Sequence, residues 1–149
     1  MIKVTLTGAT ELKVKLDGYA QYFSDLTPLV LGILTLARQY VQRQFQTRGS
    51  QTGGWQPLRP ETVRRKEKLG GTDAPLIGAG PFAGQLRDNW QLLPGARGGS
   101  MLSQVAYAKY HEFGLGHNPL RQMVPAGPVL EQIAQRVALD FIQRRLSQQ

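Results

Sequence analysis

Cysteine is absent from the 149 residues, which excludes disulfides and thiolate metal sites and permits a reducing compartment without requiring one. Acidic residues are scarce, 10 Asp and Glu against 18 Lys and Arg, and they stand singly along the chain. Paired carboxylates for general acid–base chemistry therefore have little support. Histidine occurs twice, at His111 and His117. A helical metal pair needs ligands three or four apart, and Glu112 beside His111 would point to another helix face. No G-x-S-x-G elbow occurs, so a nucleophilic triad of the usual kinds is not supported. Long apolar runs are also missing. The longest, residues 29–36, is interrupted by Gly32 and Thr35 and falls far short of the roughly 20 residues that span a membrane. The opening MIKVTLTG alternates apolar and polar residues, unlike a secretory signal. The expectation is a soluble, non-enzymatic protein with no metal, cofactor or membrane contact.

What is present is positive charge and clear patterning. The formal charge of +8 favours anionic partners without saying whether they are nucleic acid or acidic protein. At this length a single domain buries roughly 68–70% of the surface of its unfolded chain. The predicted organisation is one domain over residues 1–149, with a basic arm at about 48–70 and a Gly-rich loop at about 70–84.

Ile2, Val4 and Leu6 alternate with polar residues and read as a strand,. Leu12, Val14 and Leu16 repeat the alternation, which suits either a hairpin through residues 8–10 or a helix starting near Thr10. Thr27-Pro28 opens the strongest helix signal, Thr as cap and Pro at the first position. From there Leu29, Val30, Ile33, Leu34, Ala37, Tyr40, Val41 and Phe45 recur at spacings of three and four up to about Gln46,. Arg43 and Arg48 suit the negative helix end, and Gly49 stands where the helix should stop.

In the arm, Trp55 and Leu58 are placed to pin the chain to the body. Pro60-Glu61 begins a short helix whose basic residues gather toward its end,. GGTDAPLIGAGPFAG predicts a loop around Leu76-Ile77; GAGPFAG lacks the Lys-Ser or Lys-Thr of a phosphate loop,. QLRDN predicts a helical turn, residues 90–93 a strand, GARGGS (95–100) a hairpin tip and 101–106 the returning strand,. Pro128 starts a second long helix with an apolar stripe of Leu130, Ile133, Ala134, Val137, Phe141 and Ile142. The fold class is α+β: a small antiparallel or mixed β-sheet packed against two long helices, with extended loops or arms.

Residues 105–114, VAYAKYHEFG, concentrate tyrosine, histidine, glutamate and phenylalanine in the manner of a site. No third ionisable partner accompanies His111 and Glu112. The simpler reading ends a strand at 105–106, packs 107–113 as a helical turn and uses Gly114 as exit. The arm's Arg59, Arg64, Arg65, Lys66 and Lys68 are the candidate interface or DNA-facing residues. A nonspecific nucleic-acid-binding protein using this arm is the alternative function. Aromatics are not interleaved with the basic residues as a single-strand platform requires.

Taken in order, the core helix ending at Phe45, GGWQPLRPETVRRK, QLRDN, a hairpin, VAYAKYHEFG and VPAGPVL before a last helix resemble the virion-morphogenesis, or tail-completion, family of long-tailed phages. The resemblance covers roughly residues 26–130. Its carriers are Trp55 with Pro57-Leu58, Thr62 and Lys66, then Leu86-Arg87, then Tyr107, His111 and Phe113-Gly114, and finally Pro125 and Pro128. The chain departs from the pattern at Gly127, where an Arg is usual, and in GAGPFAG, inserted between Ile77 and Gln85. The resemblance implies a small non-catalytic protein of the head–tail junction that completes or terminates the tail. It also implies a homo-oligomeric ring with other phage neck and tail proteins as partners and possible nonspecific contact with DNA in the lumen. Its place would be the virion tail or neck, after the host cytoplasm during assembly. Trp55, Leu86, Arg87, Tyr107, His111, Phe113, Gly114, Pro125 and Pro128 are then structural motif residues.

Overall fold

A computed structural model describes residues 17, 20, 21 and 23–147. The expected N-terminal strands at 2–7 and 12–16 lie outside the described residues. Helix α1, Thr27–Gln46, is the element on which the others are laid. Its start differs from expectation: Thr27 is already helical and makes no cap. The Asp25 carboxylate accepts the Thr27 N–H at 2.9 Å instead, because an acceptor two residues earlier reaches the unpaired donors of the first turn. The helix ends as expected. Arg48 and Gly49 take left-handed φ values of 51° and 78°, and the Gly49 N–H returns to the Gln44 carbonyl at 2.8 Å,.

Strands β1, Trp90–Gly95, and β2, Gly98–Ser103, form an antiparallel hairpin in the register Trp90 with Ser103 to Gly95 with Gly98. The tip is the two-residue turn Ala96-Arg97, not the six residues of GARGGS, and β2 stops before Val105 and Ala106. The glycines belong to the strand for a packing reason. A Cβ on Gly99 would stand 2.7 Å from Val30 Cγ1 and 3.1 Å from Leu34 Cδ1, so its bare backbone lets α1 settle on the hairpin. The Ala96 carbonyl accepts the Leu26 N–H at 3.2 Å, fixing the tip at the start of α1.

The last helix, α5, is Gly127–Leu146, with α2 at Pro60–Glu67, α3 at Gln85–Asp88 and α4 at Ala108–Glu112 between it and α1 along the chain. Pro128 stands in the first turn of α5, as expected. α5 packs on α1 at Gly32, where a Cβ would meet Val137 Cγ1 at 2.8 Å. Ile133, Ala134, Val137 and Phe141 of its stripe are half-buried; Leu130 and Ile142 are exposed. The fold is thus α+β, with a two-stranded antiparallel sheet and two long helices among the described residues. No helix among them is long and apolar enough to cross a membrane.

The main core gathers Val41 and Phe45 of α1, Trp55, Leu86, Val105 and Met123, flanked by half-buried Leu76, Ile77, Trp90 and Met101. The loop after α1 makes this possible. Left-handed Arg48, Gly49, Gly53 and Gly54 fold the chain back, and the Trp55 N–H closes on the Arg48 carbonyl at 2.7 Å. Trp55 then meets Phe45 edge-on, with centroids 5.2 Å apart. Burying such a pair contributes about 0.5–1.5 kcal/mol beyond its area.

Candidate functional site

The basic arm, the Gly-rich loop and the segment after α4 enclose a cleft of about 710 Å³. α2 supplies one wall. Its Pro60 and Glu61 open the helix where the dipole favours them, so that Arg59 and Arg65 come to line the cleft. The Gly-rich loop contributes Leu76, Ile77 and Gly78. It is held by a bidentate Arg48–Asp73 pair at 2.9 Å and by Leu76 and Ile77, which pack on the core and line the cleft. The Arg48 guanidinium holds the Asp73 carboxyl below its ordinary range. The lining is completed by Tyr107 and His111 of the α4 segment, then His117 and Arg121.

The basic residues divide. Arg59, Arg64, Arg65 and Lys68 are exposed; Lys66 is half-buried and donates to the Ala74 carbonyl at 2.7 Å. Burial lowers the Lys66 pKa, opposed by Asp73 and reinforced by Arg121. Four of the five arm cations are therefore exposed to solvent, Arg59 and Arg65 of them at the cleft, and Lys66 ties the arm to the loop.

Arg121 is 5% exposed and donates from Nε at 3.2 Å and Nη2 at 2.9 Å to the Gln56 carbonyl. Burial disfavours its charge. Its own N–H donates to the His111 carbonyl at 2.8 Å. His111 stands edge-on to Tyr107 at 6.3 Å, and its Nδ1 is buried with no hydrogen-bond partner among the described residues. Burial lowers its pKa, as does the Arg121 charge.

His111 and Glu112 do not form an acid–base pair. The Glu112 carboxylate turns away from the cleft and accepts the N–H groups of Met123 at 2.6 Å and Val124 at 3.3 Å. Burial raises its pKa, offset in part by those two bonds. Among the described residues no group of three or more His, Asp or Glu is placed to hold a metal.

The motif residues fall into three environments. Trp55 and Leu86 are core, and the Trp55 Nε1 donates to the Gln122 carbonyl at 3.0 Å. Arg87 forms a bidentate pair with Asp88 at 2.7 Å near the surface, while Pro125 is half-buried and Pro128 exposed. Tyr107 and Phe113 are exposed, Phe113 by 69%. Gly114 has φ +61° and lies against Leu120, where a Cβ would come within 3.2 Å. It is an exit turn, as expected. Tyr110, Leu115 and Leu120 extend the exposed apolar surface around it.

Sequence reasoning missed Gln44, Arg121 and Met123, all buried. Gln44 had a signal, for it stands three residues after Val41 on the apolar stripe. Its Nε2 donates to Thr52 Oγ1 at 3.2 Å and to the Gln122 carbonyl at 3.3 Å. Arg121 and Met123 sit in a segment without periodicity, and no local pattern marks them.

No protein-family model, curated protein or solved structure matches the chain.

Proposed function

We propose that this chain is a structural, non-catalytic protein of the head–tail junction of a long-tailed phage, which completes or terminates the tail and joins it to the head. The observation that carries the reading is the convergence of widely separated motif segments on one body. Trp55, Leu86 and Val105 meet in a single core with Met123, just before the VPAGPVL motif, and the most reactive-looking side chain, Glu112, is committed to backbone N–H groups. Their order along the chain is the family's order, so the signature reads as a folding unit.

Ring assembly needs two different patches, each meeting the other on the next subunit. The chain has unlike surfaces suited to this: the exposed cations of α2, and the apolar group of Tyr110, Phe113, Leu115 and Leu120. The partners would be further copies and other neck and tail proteins, in the virion. Electron microscopy of particles made without this protein tests the reading. Separate full heads and tails are expected; intact virions would refute it.

A second reading, nonspecific nucleic-acid binding, is favoured by one observation: Arg59, Arg64, Arg65 and Lys68 are all exposed on the arm. Tight duplex binding by the isolated protein, weakening steeply from low to moderate salt, would favour it over the first.

A further inference from the structure

Arg59, Arg65, Lys66 and Arg121 line the cleft beside His111 and His117, and among the described residues no Asp or Glu does. The ion pairs formed among the described residues are Arg48–Asp73 and Arg87–Asp88, so none of these four cations is in one. Arg121 is the most telling. A guanidinium presents five N–H donors in a planar fork, yet the two that are bonded here share one neutral carbonyl, that of Gln56. A buried cation without a counter-charge is costly, and a carboxylate received bidentately is the matching partner. Half-buried Leu58, Leu76 and Ile77 line the same cleft, so its chemistry is mixed: cations around an apolar floor.

We infer that this cleft is a docking site for a short acidic peptide segment of a partner protein, one in which carboxylates flank an apolar side chain. The apolar side chain rests on Leu58, Leu76 and Ile77. A carboxylate reaches Arg121, and neighbouring acids meet Arg59 and Arg65. The charge of +8 steers such a segment to the site. A single strand of nucleic acid fits less well, because stacking needs successive aromatic faces, and among the described residues Tyr107 is the one Phe, Tyr or Trp of the lining, with the His111 ring set edge-on to it. The inference does not depend on the head–tail reading, since it specifies the partner's chemistry and not its assembly.

The test uses the full chain and a fluorescein-labelled peptide, GSEDLDEGS, followed by anisotropy at low salt. Arg65→Glu and Arg64→Glu make the same charge change on adjacent exposed residues of α2, but only Arg65 lines the cleft. Saturable binding is expected, weakened about tenfold by Arg65→Glu and less than about twofold by Arg64→Glu, with both variants melting as the parent does. The peptide with Asn and Gln in place of its acids should bind at least about tenfold more weakly. Absence of saturable binding, equal losses in the two variants, or equal binding of the amide peptide would overturn the inference. So would a thymidine strand that displaces the peptide and binds more tightly, which would reassign the cleft to nucleic acid.

Discussion

The Glu112 carboxylate accepts the Met123 N–H at 2.6 Å, and Met123 is wholly buried. A residue that looks catalytic in the sequence is thus the acceptor that anchors the segment leading into α5. Glu112→Ala leaves two backbone donors without their acceptor and should destabilise the chain by about 1–3 kcal/mol. Glu112→Gln keeps an acceptor oxygen and should cost much less. The folded pKa lies above the ordinary 4.5, so the native state holds the proton more tightly. This group's contribution therefore favours folding at low pH and declines as pH rises from 4.5 through the raised value. Denaturant titrations across pH would show that slope in the parent and its loss in Glu112→Gln.

Trp55 contributes both an indole donor and an aromatic edge against Phe45. Trp55→Phe should cost about 1–2 kcal/mol, since Gln44 still donates to the Gln122 carbonyl. Trp55→Ala should cost about 3–5 kcal/mol through the cavity it leaves. Equilibrium unfolding in urea measures both, and equal losses would mean that the ring packs nothing.

Gly49 and Gly53 share left-handed φ values, 78° and 86°, but differ in surroundings. An added methyl at Gly49 would be driven into the Trp55 indole, whereas at Gly53 it meets open space. Gly53→Ala should cost about 1–2 kcal/mol from backbone strain alone. Gly49→Ala adds overpacking and should reach about 2–5 kcal/mol. Thermal melts of the two variants separate the contributions.

His111 carries the opposite pH sign from Glu112. Its folded pKa is below the ordinary 6.5, through burial and then the Arg121 charge. The unfolded chain therefore binds the proton more readily. Stability from this group is complete above 6.5 and is lost as pH falls from there through the lowered value. His111→Phe keeps a ring beside Tyr107 and removes the titration, so its melting temperature should fall less than the parent's on acidification over that interval.

If the proposed head–tail role holds, replacing Arg59, Arg64 and Arg65 by Glu should block joining while leaving the melting temperature within about 3 °C, as expected for exposed positions. Lys66 is left out because its Nζ holds the Ala74 carbonyl, and its loss would disturb the arm itself. Normal virion yield from the triple variant would remove the arm from the joining surface.

Much of the fold was legible because its causes are local. The three-and-four spacing from Leu29 to Phe45 marks the buried face of α1, and Pro60 and Pro128 mark helix starts. The hairpin was legible, but not its tip. Gly98 and Gly99 look like turn residues until α1 is laid across them, and then Gly99 is where Val30 and Leu34 need room. VAYAKYHEFG was legible as a turn ending at Gly114, while the exposure of Phe113 depends on how the turn sits on the body.

The sequence by itself determined the two long helices, the short helix of the arm, the hairpin and the surplus of positive charge, because periodicity, proline placement and composition act over a few residues or need no geometry at all. Tertiary structure alone decided that Gln44 and Trp55 both reach the Gln122 carbonyl, and that Glu112 holds Met123. It also decided that Arg121 stands in a cleft lined by no carboxylate among the described residues. Those outcomes depend on which backbone groups remain unpaired after the chain has folded back on itself. A donor and an acceptor separated by 67 or 78 positions, as in the two bonds to Gln122, leave no mark on the residues between them.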